Sequence, residues 1–151
     1  MLFRSYKILL PTDGSDHSQQ AVKQGLAFAK ALGAQVIGVH VVPHYHMRPD
    51  EGDIWPTSKT VEKRVDEQHT ARAREILASV EQEAKGAGIE CQSVVAINDT
   101  IHEEIIGTAE KNNCNLIVMA SHGHAGVTAL LLGSVTAKVL THTKLPVLVL
   151  R

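Results

Sequence analysis

The sequence is poor in aromatic residues, which account for only 3% of its 151 positions. Proteins that bind single-stranded nucleic acid stack the bases on aromatic side chains, and this chain offers few of them. Its formal net charge of −1 also differs from the strongly basic balance of proteins that neutralise duplex phosphates. We therefore expect no nucleic acid among its main partners, and a core built from Val, Ile, Leu and Ala.

Long apolar runs are also missing. No run approaches the roughly 20 residues that a transmembrane helix needs, and residues 1–7 lack the apolar stretch of a secretory signal. The only two cysteines, Cys91 and Cys114, do not form a CxxC pair, and so few thiols are typical of a reduced intracellular protein. These absences predict a cytoplasmic protein with no membrane partner.

The familiar catalytic and phosphate-binding motifs are absent as well. The chain has no Walker A loop, no GxGxxG fingerprint and no nucleophile elbow. No lysine or arginine is placed by a motif to stabilise a transferring phosphoryl group. The sequence therefore favours a binding module over an enzyme.

Five short apolar runs alternate with four helical patterns. The runs comprise residues 7–10, 34–42, 89–97, 116–120 and 146–150. The first, fourth and fifth are almost continuously apolar, as expected of strands buried on both faces of a parallel sheet. The third includes Glu90, Gln92 and Ser93, which indicates an edge strand.

Capping residues mark the predicted helices. Ser15 or Asp16 begins the first helix, and Gly33 ends it. The second covers residues 58–85 and ends at Gly86. Thr100 and Glu103 have the spacing of a capping box at the start of the third. The fourth begins near residues 133–134 and ends before residue 146.

Strands that alternate with helices predict right-handed crossovers and a parallel sheet covered on both sides. We expect one domain over residues 1–151. Such a sheet binds ligands beyond the carboxyl ends of its strands, where the winding reverses. Residues 43–57 follow the second strand and contain Pro43, Pro49, Trp55 and Pro56, so we expect a loop that covers this crevice.

Two segments at strand ends carry candidate binding residues. In the first, residues 11–15, Asp13 can accept hydrogen bonds from ribose hydroxyls or an adenine amine. In the second, residues 120–134, Gly123 and Gly133 let backbone approach a ligand, and a helix starting at Ser134 offers free N–H groups to an anion. Each segment is also typical of an ordinary turn or helix start that binds nothing. Spacing alone predicts a ligand-binding α/β domain.

Together these segments resemble the universal stress protein family, and the resemblance covers essentially the whole chain. The family has a PTDGS-like turn, a GVHVV-like second strand, a G-x2-G-x9-G-[ST] signature and a PVLVL-like last strand. The chain has PTDGS at residues 11–15, GVHVV at 38–42, Gly123-x9-Gly133-Ser134 and PVLVL at 146–150. Ala120 replaces the first glycine of the signature. Alanine fits there if the position needs only an ordinary β conformation.

The resemblance implies a Rossmann-like (flavodoxin-like) three-layer α/β sandwich with a five-stranded parallel sheet. It implies ATP, with or without Mg²⁺, between the ends of the first and fourth strands, and a homodimer formed through the last strand, residues 147–150. By family analogy the nucleotide would contact Pro11, Thr12, Asp13, Val41, Met119, Ala120, Gly123, Gly133, Ser134 and Val135.

Two other functions remain open at this point. Asp13 and His122 can converge on the phosphates, which would support slow Mg²⁺-dependent ATP hydrolysis. A chain in which Ala120 blocks the site would be a nucleotide-free dimeric interaction protein. Turnover of bound ATP distinguishes the first of these functions, and the absence of any nucleotide binding selects the second.

Nine histidines are many for this length. The pairs His44-x-His46 and His122-x-His124 each offer two imidazoles, which are common zinc or copper ligands. Both pairs lie in predicted loops, however, and no third or fourth ligand is identifiable nearby. We expect no metal there, and polar loop histidines close to the phosphate site instead.

Overall fold

Strands and helices alternate along the chain, as the apolar pattern predicts. The computed structural model describes residues 5–46, 58–123 and 131–151. The strands are β1 (Lys7–Pro11), β2 (Gln35–Val42), β3 (Cys91–Ile97), β4 (Leu116–Ala120) and β5 (Val147–Leu150). The helices are α1 (Asp16–Leu32), α2 (Ser58–Gly86), α3 (Ile101–Lys111) and α4 (Ser134–His142).

The strands form one five-stranded sheet in the order β3-β2-β1-β4-β5, and every neighbouring pair is parallel. The predicted parallel sheet is confirmed, and so is the prediction that β3 lies at an edge. From β1 the chain adds β2 and β3 on one side, and then crosses to add β4 and β5 on the other. The winding therefore reverses between β1 and β4, which is where such sheets bind ligands.

Helices cover both faces of this sheet, which confirms the three-layer sandwich. Successive side chains of a strand point to opposite faces. Ile8 and Leu10 accordingly pack in a cluster with α1 and α2, whereas Leu9 packs in a second cluster with α3 and α4. The near-continuous apolar pattern of β1 follows from this, because both of its faces are buried.

Gly25 lets helix α1 pack closely against the sheet. A Cβ atom at this position would lie 2.6 Å from Cδ2 of Leu10 and 3.3 Å from Cγ1 of Val118.

Ser15 is the residue that caps α1, since its side chain accepts a hydrogen bond from the N–H of Ser18. Gly33 ends the helix in the left-handed conformation, with φ 64°.

The predicted capping box at the start of α3 is wrong. Thr100 precedes the helix, but its side chain makes no capping hydrogen bond. Asn98 acts instead: its Oδ1 accepts from the Thr100 N–H at 2.8 Å, and its Nδ2 donates to Glu104 at 3.0 Å. The side chain of Asn98 is short enough to bond the backbone two residues ahead, which fixes the turn before the helix begins.

Both cysteines are free thiols in the structure. Burial raises the pKa of Cys91 to about 11, and burial also raises the pKa of Cys114. Each thiol is therefore protonated at neutral pH and unreactive as a nucleophile.

Within the part of the chain that the structure describes, no helix combines the length and the apolar character needed to cross a bilayer.

Candidate functional site

A cavity of about 570 Å³ opens at the carboxyl ends of β1, β2 and β4. It lies at the reversal of the winding, and its size falls in the range of small-molecule sites, about 300–1,000 Å³. The structure brings together around this cavity all ten residues singled out from the sequence. They are Pro11, Thr12, Asp13, Val41, Met119, Ala120, Gly123, Gly133, Ser134 and Val135.

The turn between β1 and α1 forms one wall and is held by its own hydroxyl groups. The Thr12 N–H donates to the carbonyl of Val39 at 2.9 Å, which continues the pairing of β1 with β2. Oγ1 of Thr12 lies 2.7 Å from Oγ of Ser18 and accepts from the Gly14 N–H at 3.2 Å. Gly14 has a φ of 78°, which an L side chain rarely adopts. The turn is therefore rigid.

Asp13 projects from this turn towards the glycine-rich segment. Its Oδ1 accepts a hydrogen bond from the Ser15 N–H at 2.9 Å, which fixes the orientation of the carboxylate. Its Oδ2 lies so close to Gly123 that a Cβ atom there would be only 2.3 Å away. The carboxylate therefore touches both segments that the sequence predicts to form the site.

The start of α4 forms the opposite wall. The Gly133 N–H donates to the Ser121 carbonyl at 2.7 Å, and a Cβ atom on Gly133 would lie 3.1 Å from that same oxygen. The hydroxyl of Thr136 donates to the Ala120 carbonyl at 2.9 Å. The N–H groups of the first turn have no acceptor within the helix, and the helix dipole makes this end favourable for an anion.

Ala120 occupies an ordinary strand position. It is the last residue of β4 and pairs with Leu150 of β5. Among the described residues other than glycine, only Asn113 has a positive φ, so the backbone of Ala120 is one that alanine adopts freely. The replacement of the first signature glycine therefore introduces no backbone strain.

His122 lines the cavity but is held at both ring nitrogens. Its Nδ1 lies 2.9 Å from Oγ of Ser121, and its Nε2 bonds the carbonyl of Leu131. Because a carbonyl only accepts, Nε2 carries a proton, and a neutral ring takes the Ser121 hydroxyl proton at Nδ1. In this arrangement neither nitrogen is placed to accept a proton from an attacking water.

One part of the cavity is apolar and continuous with the core between the sheet and helices α3 and α4. Val41, Met119 and Val135, which the resemblance assigned to the binding site, lie here together with Ile101 and Ile105, which were not predicted from the sequence. A signal for the two isoleucines was available, since they lie one turn apart at the start of the helix that follows β3. We call these five residues the apolar recess.

Helix α2 supplies a further wall that sequence reasoning missed. Its residues His69, Arg72 and Ile76 line the cavity. Ile76 packs over Gly14, where a Cβ atom would lie 2.6 Å from Cδ1 of the isoleucine. No motif in the sequence positions an arginine, but the geometry of α2 brings Arg72 to the cavity, because residues 72 and 76 are one turn apart.

The segment after β2 is held by two carboxylates from different elements. Asp99 accepts from the His44 N–H at 2.8 Å and contacts Nε2 of His46 at 3.0 Å. Asp66 of α2 accepts from the Tyr45 N–H at 2.8 Å and contacts Nδ1 of His44 at 3.3 Å. We call His44, His46, Asp66 and Asp99 the His–Asp clasp. It ties the cavity residue Pro43, which directly precedes it, to α2 and to the turn before α3.

The two predicted histidine pairs have different outcomes. His44 and His46 each contact a carboxylate, and their ring centroids lie 6.2 Å apart. His124 of the other pair lies outside the described residues, as do residues 47–57 of the predicted covering loop. Over residues 5–46, 58–123 and 131–151, no three His, Cys, Asp or Glu side chains group to hold a metal ion.

The clasp contains groups with shifted pKa values. The hydrogen bond and the charge of Asp99 raise the pKa of His46 above its ordinary value of 6.5, and the carboxylates of Glu62 and Asp66 add to this. The hydrogen bond with His46 lowers the pKa of Asp99 below 3.8. The Tyr45 N–H, followed by His44, lowers the pKa of Asp66. Asp99 and His46 are therefore both charged between the ordinary pKa values of 3.8 and 6.5.

We predict that Asp99→Asn lowers the melting temperature more at about pH 5.5 than at about pH 8.5. The folding stability that the His46–Asp99 pair contributes is fully present below pH 6.5. It disappears as the pH rises through the raised pKa of His46, because the imidazole then loses its charge. Melting curves of the variant and of Glu110→Gln, an exposed carboxylate on α3, test this. An equal loss at both pH values would contradict the prediction.

Comparisons with known proteins agree with this architecture. A profile of the Universal stress protein family matches residues 5–151. Universal stress protein MJ0577 of Methanocaldococcus jannaschii is 30% identical over 96% of this chain and 94% of its own length. Its solved structure superposes with a TM-score of 0.80 over the same shares of the two chains.

Two further solved structures show the same fold at lower identity. A universal stress protein in complex with cAMP is 23% identical, with a TM-score of 0.66 over 97% of both chains. The universal stress protein from Archaeoglobus fulgidus in complex with dAMP is 16% identical, with a TM-score of 0.63 over 100% of both chains. The family profile covers nearly the whole chain, and the predicted sheet, the turn after β1 and the described ends of the glycine-rich segment, residues 120–123 and 131–134, are in place. The chain therefore belongs to the universal stress protein family.

Proposed function

We propose that this protein binds an adenine nucleotide, ATP, in the cavity at the carboxyl ends of β1 and β4. It then acts as a stress-response or signalling module in the cytoplasm, with residues 1–151 as one domain. The observation that carries the proposal is the convergence of the ten predicted residues on one cavity, with an apolar recess and a helix N-terminus in its lining.

The chemistry of the lining matches the parts of a nucleotide. The apolar recess suits the faces of an adenine ring. Asp13 carries a fixed carboxylate that can accept hydrogen bonds from ribose hydroxyls. Gly123 and Gly133 leave backbone exposed where a side chain would collide with protein, and the first turn of α4 presents N–H groups to phosphate. The Ser134 hydroxyl adds a donor to phosphate or an oxygen ligand to Mg²⁺ held by that phosphate.

The related structures support an adenine ligand. One is a complex with cAMP and another a complex with dAMP, and both share the fold of this chain over nearly its whole length. A shared fold does not fix the ligand of this protein. ATP itself is the nucleotide that the resemblance of residues 11–15, 120–123 and 133–134 to the family implies.

A direct binding measurement tests the proposal. Protein purified from cells without added nucleotide is heat-denatured, and anion-exchange chromatography identifies any nucleotide released. The stripped protein is then titrated calorimetrically with ATP, with and without Mg²⁺. Released ATP, or saturable binding near one nucleotide per chain, would support the proposal. No nucleotide and no heat of binding would favour the nucleotide-free interaction protein instead.

Slow Mg²⁺-dependent hydrolysis is the enzymatic alternative, and the arrangement of His122 disfavours it. Both of its ring nitrogens are engaged within the protein, so it is not poised as a general base. Phosphate release from protein loaded with radiolabelled ATP distinguishes the two functions. Release that follows the protein concentration and requires Mg²⁺ would establish the enzyme.

We also propose a homodimer formed through β5. This strand is at the edge of the sheet and consists of four apolar residues, each only partly buried, in Val147–Leu150. An apolar edge strand presents unpaired backbone groups to a second copy. Sedimentation equilibrium of the wild-type protein and of Val149→Lys tests this. We expect the wild type to sediment as a dimer and the variant to dissociate more readily.

A further inference from the structure

We propose that Arg72 recognises the phosphate tail of the bound nucleotide, so that the cavity discriminates between nucleotides by the length of that tail. The inference rests on the proposed function and extends it to a residue on α2, an element outside the segments that carry the family resemblance. Its basis is the position of Arg72 on the wall of the cavity, the charge of the lining, and the weakness of its present ion pair.

The position of Arg72 follows from helix geometry. Ile76 of α2 packs over Gly14 in the turn that follows β1. Arg72 lies one helical turn before Ile76, which is about 5–6 Å along the axis, and His69 lies nearly one turn further. Asp66, nearer the start of α2, accepts a hydrogen bond from Tyr45 just after β2. The direction from Ile76 to Arg72 therefore leads along α2 towards the carboxyl edge of the sheet and outwards from it. Arg72 therefore lines the outer part of the cavity.

The base and the tail of a nucleotide would meet different parts of this cavity. The apolar recess packs with α3 and α4 on one face of the sheet. Helix α2 packs on the other face, where Val80 and Ala84 join the cluster of α1. Contacts run from Gly133 at the start of α4 through Gly123 to Asp13, and the neighbouring Gly14 lies under Ile76 of α2. With the base in the recess and the first phosphate at the start of α4, a longer tail would extend along this line towards Arg72.

The charges of the lining show why a cation matters here. Apart from histidines, the charged side chains among the described lining residues are Asp13 and Arg72. The carboxylate of Asp13 repels phosphate, and the N-terminus of α4 contributes only a partial positive charge. Arg72 supplies the full positive charge that offsets this repulsion. A longer phosphate tail carries more negative charge, so it gains more from the guanidinium.

Arg72 is available for this role in the structure. Its Nη1 lies 4.0 Å from Oε2 of Glu75, at the limit of an ion pair, and 76% of its side chain is exposed. Exposed pairs of this kind contribute little, so a ligand competes with Glu75 easily. A guanidinium binds two phosphate oxygens at once, which a lysine ammonium cannot do with the same geometry.

The test is a calorimetric series with adenosine, AMP, ADP and ATP on three proteins. These are the wild type, Arg72→Ala and Arg74→Ala. Arg74 is the matched control because it lies on the same helix and is exposed, but lines a separate cleft with Lys63 and Glu67. We expect Arg72→Ala to weaken ATP about tenfold or more and adenosine by less than about twofold, because only ATP loses a charged hydrogen bond. Arg74→Ala should bind all four ligands as the wild type does.

The outcomes separate this inference from the proposed function. A wild-type protein that binds none of the four ligands overturns both. A wild type that binds ATP, with Arg72→Ala and Arg74→Ala indistinguishable, overturns the role of Arg72 alone. An equal loss of adenosine and ATP in Arg72→Ala also overturns it, since the arginine would then act on the base or on the wall. Restored preference for ATP in Arg72→Lys at low ionic strength would support a charge effect.

Discussion

Gly123→Ala is expected to weaken nucleotide binding by about 10–100-fold while the protein remains folded. The added methyl carbon would lie 2.3 Å from Oδ2 of Asp13 and 3.4 Å from its Cγ, so the carboxylate must turn away. Its hydrogen bond from the Ser15 N–H at 2.9 Å would be distorted at the same time. The ligand would lose a fixed carboxylate and the backbone beside it. Calorimetric titration with ATP measures the loss.

A second glycine provides the control for this substitution. Gly107 lies within α3, and a Cβ atom there would meet nothing within 4 Å. Gly107→Ala should bind ATP as the wild type does, and should gain up to about 1 kcal/mol of stability from helix propensity. Gly123 has no positive φ, so its substitution acts through the contact and not through backbone strain. Unchanged ATP affinity in folded Gly123→Ala would show that binding does not depend on Asp13.

Ile117→Ala is expected to lower the free energy of unfolding by about 2–5 kcal/mol. Ile117 lies in β4, pairs with Leu9 of β1 and is 0% exposed, so truncation leaves a cavity between the sheet and helices α3 and α4. Urea unfolding followed by circular dichroism gives the value. A loss at the upper end of this range would remove a large part of the total free energy of unfolding of a domain of this length.

The matched control for the core is Leu32→Ala at the end of α1. Leu32 is 48% exposed, and its truncation should change the free energy of unfolding by less than about 0.5 kcal/mol. In native buffer, Ile117→Ala should still bind ATP with an affinity close to that of the wild type, because Ile117 is not among the residues that line the cavity. Similar urea midpoints for the two variants would contradict the packing described for β4.

The sequence was sufficient to predict most of the fold. Parallel strands buried on both faces are apolar at successive positions, and this pattern located β1, β4 and β5 to within a residue. The expectation that the fifth run is buried on both faces was wrong, because β5 lies at the edge of the sheet and its residues are only partly buried. The polar residues of the third run identified β3 as an edge strand. The start of α3 was predicted wrongly. Thr100 and Glu103 have the spacing of a capping box, but spacing does not reveal that the side chain of Asn98 already accepts the Thr100 N–H.

The site was predictable where it depends on strand ends and less so where it depends on helix faces. Carboxyl ends of parallel strands share one edge, so Asp13 and Gly123 were expected to approach each other. The contribution of α2 depends on the rotation and tilt with which Ile76 packs over Gly14. Those quantities arise from tertiary packing, and for that reason Arg72 was missed. The His–Asp clasp joins residues 22 and 53 positions apart, a separation without periodic signal.

The close approach of α1 to the sheet also constrains how this chain can change over evolution. Position 25 has no side chain, and the space that one would need is occupied by Leu10 and Val118. A mutation that enlarges residue 25 can therefore persist only with a reduction at one of those two positions, since an overpacked core is destabilised. Among descendants of this sequence, the sizes of residues 10, 25 and 118 should vary together, and a lineage that changes one of them is committed to changing another.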